Sequence, residues 1–243
     1  EGEELSAHLD SRREVGEILL ASGVPTTVLR AAVILGSGSA SFEMLRYLTE
    51  RLPVMVTPKW LNTRIQPIAV RDVLRYLVGS AAMPAEVNRG FDVGGPDVLT
   101  YRDMMQRYAR VAGLSPRRIQ TVPLLTPSLS SHWVGLITPV PNSIARPLVD
   151  SLIHEVVCKE DDIKEFVPDP PEGLLGFDEA VELALSKVRE ADADGVVGIH
   201  YAGPTWESKS GSVVVATVEK RVTADADAIP WLLLSAKSVG GEG

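Results

Sequence analysis

The fold class is decided by one stretch of the chain, Thr26-Thr27-Val28-Leu29-Arg30-Ala31-Ala32-Val33-Ile34-Leu35-Gly36. Its apolar residues do not alternate with polar ones, which is typical of a strand buried on both faces of a parallel sheet. A helix is predicted just before it, with Val15, Ile18 and Leu19 on one face. A helix that leads through a short loop into a buried strand predicts an α/β fold, in which we expect residues 26–35 to form a central strand.

A strand followed by a helix is predicted twice more along the chain. Gln66-Pro67-Ile68-Ala69-Val70-Arg71-Asp72 begins the first of these units, and Gly90-Phe91-Asp92-Val93-Gly94-Gly95 begins the second, whose helix we expect Thr100 to cap. Between residues 37 and 60 we expect a helix and a short buried strand, Val54-Met55-Val56. The residues expected to face inward on the helix after Asp72 are Val73, Leu74, Leu77 and Val78.

The order and spacing of these segments resemble the extended short-chain dehydrogenases/reductases, and most closely their atypical, NmrA-like, NAD(P)H-binding members, over about residues 5–190. The glycine-rich strand that opens this family's fold has no counterpart upstream. The resemblance therefore implies the second half of a Rossmann-like, doubly wound parallel sheet, truncated at its amino-terminal side. It also implies a small substrate lobe at about residues 116–147, where the composition shifts to Pro, Ser and apolar residues.

Domain boundaries follow from the same reading. We expect residues 1–190 to form the reductase-like domain and residues 191–195, which are small and acidic, to form a linker. Residues 196–243 resemble the first strand and helix of a helix-grip, START-like domain, a partial α+β segment that would be incomplete here.

The loop Gly36-Ser37-Gly38-Ser39-Ala40-Ser41 has three open interpretations. It is one residue away from a dinucleotide fingerprint, but an acidic ribose partner about 20 residues later is missing. It could instead be a plain tight turn. The position matched in the family passes the nicotinamide and the substrate, where small hydroxyls at a helix amino terminus would suit an anion or a carbonyl oxygen.

Site residues are implied by the resemblance. His8 and Arg12 stand where the family carries Tyr-x-x-x-Lys, so they are the candidate catalytic pair, although a solvated helix start would also explain His8. The implied cofactor, NADP or NAD, would contact Arg12, Arg30, Ala31, Ala32 and Val33. The implied substrate contacts are Gly36, Ser37, Ser39, Phe42, His132 and Trp133, of which the last two could also be core residues. Arg30 lies in an apolar strand and must reach solvent, a ligand or a carboxylate such as Asp72.

Composition excludes some functions. A net charge of -8 argues against a nucleic-acid partner, and the four His residues are too far apart for a metal site to be expected. No segment predicts a membrane span, and the single Cys158 is compatible with the reducing cytoplasm, where we expect the protein. The resemblance implies hydride transfer to a small carbonyl or quinone-like compound. The replaced Tyr-Lys pair leaves a second reading, a non-catalytic NAD(P)-sensing or assembly protein.

Overall fold

The computed structural model describes residues 7–57, 59–121, 151 and 154–193. These residues fall within one compact unit of the chain, residues 1–201. The predicted START-like segment and residues 122–147 of the predicted substrate lobe, with His132 and Trp133, lie outside the described residues.

The described residues alternate between helices and short strands, as an α/β fold requires. In chain order the elements are α1 (Ala7–Leu20), β1 (Thr27–Ala31), β2 (Val33–Leu35), α2 (Ala40–Arg51), β3 (Val54–Thr57), β4 (Arg64–Ile65), β5 (Pro67–Ala69), α3 (Val70–Ser80), β6 (Arg89–Val93), β7 (Leu99–Thr100), α4 (Tyr101–Val111), β8 (Arg118–Thr121) and α5 (Phe177–Ala193). Short 3₁₀ turns occupy Lys59–Asn62 and Asp162–Glu165. Because α5 continues to Ala193, the first three residues of the predicted linker are helical.

The predicted long strand is present but is broken at Ala32 into β1 and β2. The break lets the strand change partner: β1 pairs in parallel with β6, and β2 pairs in parallel with β5. The N–H of Gly95 donates to the carbonyl of Pro67 (3.0 Å) and so joins the end of β6 to the start of β5. Within the described residues each half of the strand has one partner, so its central place in a wider sheet stays a prediction.

The two remaining strand pairs complete the α/β arrangement. β3 pairs in parallel with β8, and β4 pairs antiparallel with β7. The predicted capping by Thr100 is confirmed, since its hydroxyl accepts from the N–H of Asp103 and the Asp103 carboxylate accepts in return from the N–H of Thr100. The α/β class predicted from the sequence is therefore correct.

The main core lies between α2, α4 and α5. Its largest fully buried side chains include Phe42, Met44, Leu45, Met104 and Tyr108. A second apolar cluster surrounds β6 and includes Ile68, Tyr76, Phe91 and Val93. Burial on this scale is the main stabilising contribution in a fold of this size.

Three expectations about burial were wrong. Val54 and Val56 are 60% and 56% exposed, because β3 alternates and buries only Met55 and Thr57. On α3 the predicted burial of Val73 is confirmed, but Leu74, Leu77 and Val78 face outward, and Asp72 and Tyr76 are buried instead. The predicted apolar face of α1 is exposed as well, with Val15, Ile18 and Leu19 at 46%, 62% and 46%.

Among the described helices, none combines the length and the apolar character needed to cross a bilayer.

Candidate functional site

The parallel strands β2 and β5 end together, and β6 ends beside the start of β5; both places carry a tightly packed turn. At Gly36 a Cβ atom would lie 2.7 Å from a methyl group of Val70, so glycine allows the ends of β2 and β5 to approach. At Gly95 a Cβ atom would lie 2.5 Å from the carbonyl oxygen of Pro67. The carboxyl edge of parallel strands is the usual place for a ligand in open α/β sheets.

A cavity of about 430 Å³ opens beside the end of β6. Its described lining consists of Gln66, Tyr76, Asp92, Val93, Gly94, Gly95, Pro96, Cys158, Glu160, Asp161, Ile163, Lys164, Asp169, Gly173 and Leu174. The volume is in the range of small-molecule sites. Four carboxylates and one ammonium group give the lining a net negative charge.

Gln66 holds the glycine turn against the far wall of the cavity. Its Nε2 donates to the carbonyl of Gly95 (2.8 Å), and its Oε1 accepts from the N–H of Cys158 (3.0 Å). A Cβ atom on Gly94 would lie 2.6 Å from Gln66 Cδ and 2.7 Å from Cys158 Sγ. A side chain at this position would therefore displace Gln66 or Cys158.

Tyr76 and Asp169 form the polar floor of the cavity. The Tyr76 hydroxyl donates to Asp169 Oδ1 (2.8 Å), and Lys164 Nζ lies 3.5 Å from Asp169 Oδ2. Burial, followed by the hydrogen bond to Asp169, raises the pKa of Tyr76 well above its usual 10.0. This phenol therefore stays protonated near pH 7.

An ion network borders the cavity on the β1 side. Arg30 Nε lies 2.8 Å from Asp92 Oδ1, and its Nη2 lies 3.8 Å from Glu160 Oε1. The expectation that Arg30 pairs with a carboxylate is confirmed, but the suggested partner Asp72 is wrong. Asp72 is buried in the first turn of α3 and accepts from the N–H of Leu175 (2.8 Å).

Cys158 is half-buried in the cavity wall. Burial, assisted by the charges of Asp92 and Glu160, raises the pKa of its thiol to about 11. The side chain is therefore a neutral thiol at physiological pH and packs against the Gly94 turn.

The predicted substrate loop uses its polar groups to start α2. Ser39 Oγ accepts from the N–H of Phe42 (3.1 Å) and donates to the carbonyl of Ile34 (2.9 Å). The N–H of Gly38 donates to Glu43 Oε1 (3.4 Å), and φ is +80° at Gly38. These contacts favour the tight-turn interpretation of residues 36–41.

The other predicted site residues are dispersed. Ser37 is exposed, whereas Phe42 is fully buried with its ring centroid 6.2 Å from that of Tyr108. Arg12 is exposed on α1, and His8 lies in the same helix with its side chain outside the described set. Ala31, Ala32 and Val33 surround the break between β1 and β2.

Sequence reasoning missed the cavity, since its described lining includes none of the predicted site residues. Gln66 was recognised at the start of one predicted strand and Gly94-Gly95 at the end of another, which was a usable signal. Residues 158–174 carried no local signal, because they reach the glycine turn from at least 60 positions further along the chain. Among the described residues, no three His, Cys, Asp or Glu side chains are grouped closely enough to hold a metal ion.

Solved structures with this architecture are similar at low sequence identity. The structure of gox2253 matches with a TM-score of 0.50 and 16% identity over 74% of this chain and 54% of its own. The structure of UDP-glucose 4-epimerase of Thermotoga maritima, with UDP-glucose, matches with a TM-score of 0.49 and 14% identity over 75% of this chain and 52% of its own. The structure of UDP-glucuronic acid 4-epimerase of Bacillus cereus, with UDP-glucuronic acid and NAD, matches with a TM-score of 0.48 and 10% identity over 73% of this chain and 50% of its own. The likeness to gox2253 supports the Rossmann-like α/β fold, and this chain spans about half the length of these proteins.

A family model described as a protein of unknown function, DUF3455, matches residues 155–243, well under half of the chain. It overlaps the described segment that carries Cys158, Lys164 and α5. No curated protein matches the sequence.

Proposed function

We propose that this chain is the nicotinamide-side and substrate-side part of an NAD(P)H-dependent, reductase-like protein related to the extended short-chain dehydrogenases/reductases. The cavity of about 430 Å³ at the end of β6 carries the proposal, because it lies at the strand edge where such folds bind ligands. The parallel pairs β1–β6 and β2–β5 support the same assignment.

The charge of the cavity lining restricts the ligands that the cavity can bind. Asp92, Glu160, Asp161 and Asp169 outnumber Lys164 in the lining, so a diphosphate would be repelled. The cavity therefore receives the substrate, and the substrate is an uncharged carbonyl or quinone-like compound. A bound NAD(P)H would supply the hydride, and the resemblance gives His8 and Arg12 the roles of proton carrier and ribose contact.

Protection of the single Cys158 tests this proposal. Tetramethyl-1,4-benzoquinone, whose ring carbons are all substituted, should slow alkylation of Cys158 by iodoacetamide at pH 9 in a saturable way, because it fills the cavity that the thiol lines. The negatively charged anthraquinone-2-sulfonate should protect far less. Protection by the sulfonate equal to that by the neutral quinone, or no protection by either, would overturn the assignment.

Two variants separate cavity binding from general effects. Leu174→Trp adds bulk at the cavity wall and should abolish protection. Leu183→Trp introduces the same side chain at a 40%-exposed position on α5, outside the described lining, and should leave protection unchanged. Circular dichroism of both variants shows whether they keep the native helix content.

Binding of the dinucleotide by this chain alone should be weak. Most affinity for NAD(P) in such folds comes from a glycine turn and helix terminus on the pyrophosphate. Here the corresponding groups of residues 36–41 are engaged with Phe42, Ile34 and Glu43. We expect titration calorimetry with NADH and NADPH to give a Kd weaker than about 1 mM. Micromolar binding would assign the phosphate to residues 36–41 instead.

A non-catalytic, NAD(P)-sensing or assembly function is the second candidate. His8 and Arg12 replace the Tyr-Lys pair, and Arg12 is exposed on α1. An absorbance assay distinguishes the reductase function from the sensing function. The chain is mixed with NADPH and tetramethyl-1,4-benzoquinone, and absorbance is followed at the nicotinamide band. Oxidation that depends on the chain supports the reductase, whereas a change of molecular mass with NADPH and no oxidation supports the sensor.

A further inference from the structure

We draw no further inference here: the strongest candidate, the apolar stripe of Val15, Ile18 and Leu19 on α1, is an exposed helix face for which nothing in the structure shows what covers it.

Discussion

Gly95 connects two strands through one backbone contact. Its N–H donates to the carbonyl of Pro67, and the missing Cβ leaves room for that oxygen. Glycines at the end of a strand can be recognised in the sequence, and the paired glycines after Val93 follow a strand that the sequence predicted. The need for glycine at Gly95 could not be predicted, because Pro67 is 28 positions earlier and its approach is a property of the folded chain.

Gly95→Ala should therefore lower the free energy of unfolding by about 1–3 kcal/mol, since the new methyl group would force the end of β6 away from the start of β5. Urea unfolding followed by circular dichroism measures the change. Gly90→Ala is the matched control within β6, because its new Cβ would meet only the flexible Arg30 side chain at 3.4 Å. Equal losses in the two variants would show that the Pro67 contact is not the cause.

Among the helices, α3 shows why periodicity alone misplaced a face. Most apolar residues of α3 lie together on one side, but that side, with Val70, Leu74, Leu77 and Val78, is exposed among the described residues, so the pattern predicted the wrong face. The orientation is fixed by distant partners: Asp72 binds the N–H of Leu175, and Tyr76 binds Asp169. By contrast α4 was predicted correctly, because its apolar residues lie on one face and Thr100 marks its start.

The start of α5 depends on Asp97, which lies 80 positions earlier. One carboxylate oxygen of Asp97 accepts from the N–H of Phe177 (2.7 Å), and the other accepts from Arg107 (2.8 Å). Burial alone would raise the pKa of Asp97, but these two hydrogen bonds outweigh it and lower the pKa. The stabilisation is present above the ordinary pKa of 3.8 and is lost as pH falls through the lowered value.

Asp97→Ala should lower the free energy of unfolding by about 1–3 kcal/mol near pH 7, because it removes the bonds to Phe177 and Arg107 together. The deficit should begin to shrink as the pH falls below 3.8 and should be smallest below the lowered pKa, where the folded wild-type carboxylate is protonated. Urea titrations at several pH values measure both effects. Lys187→Ala breaks an exposed pair with Glu190 and should change stability by less than about 1 kcal/mol. A deficit that does not depend on pH would contradict the ionic role of Asp97.

For the whole molecule, the α/β class and the order of the strands and helices followed from apolar patterning, glycines and caps. The cavity did not, because its wall joins the Gly94 turn to residues 158–174, and such long-range proximity has no local sequence signature. The same limit explains the exposed residues of α1. Their pattern indicates a face that packs, whereas the described part of the chain supplies no partner for it.

The stability of the whole molecule at high pH should be governed by its buried tyrosines. Tyr76, Tyr101 and Tyr108 are at most 2% exposed, and burial raises the pKa of each above the usual 10.0. Above pH 10 the unfolded chain loses these phenolic protons before the folded chain does, so the free energy of unfolding should fall as the pH rises.

Absorbance at the phenolate band should show that three of the five tyrosines ionise only when circular dichroism reports unfolding. Tyr108→Phe should make the pH dependence shallower, with Tyr47→Phe as a control at a half-buried ring. Ionisation of all five near pH 10 with the fold intact would contradict this account.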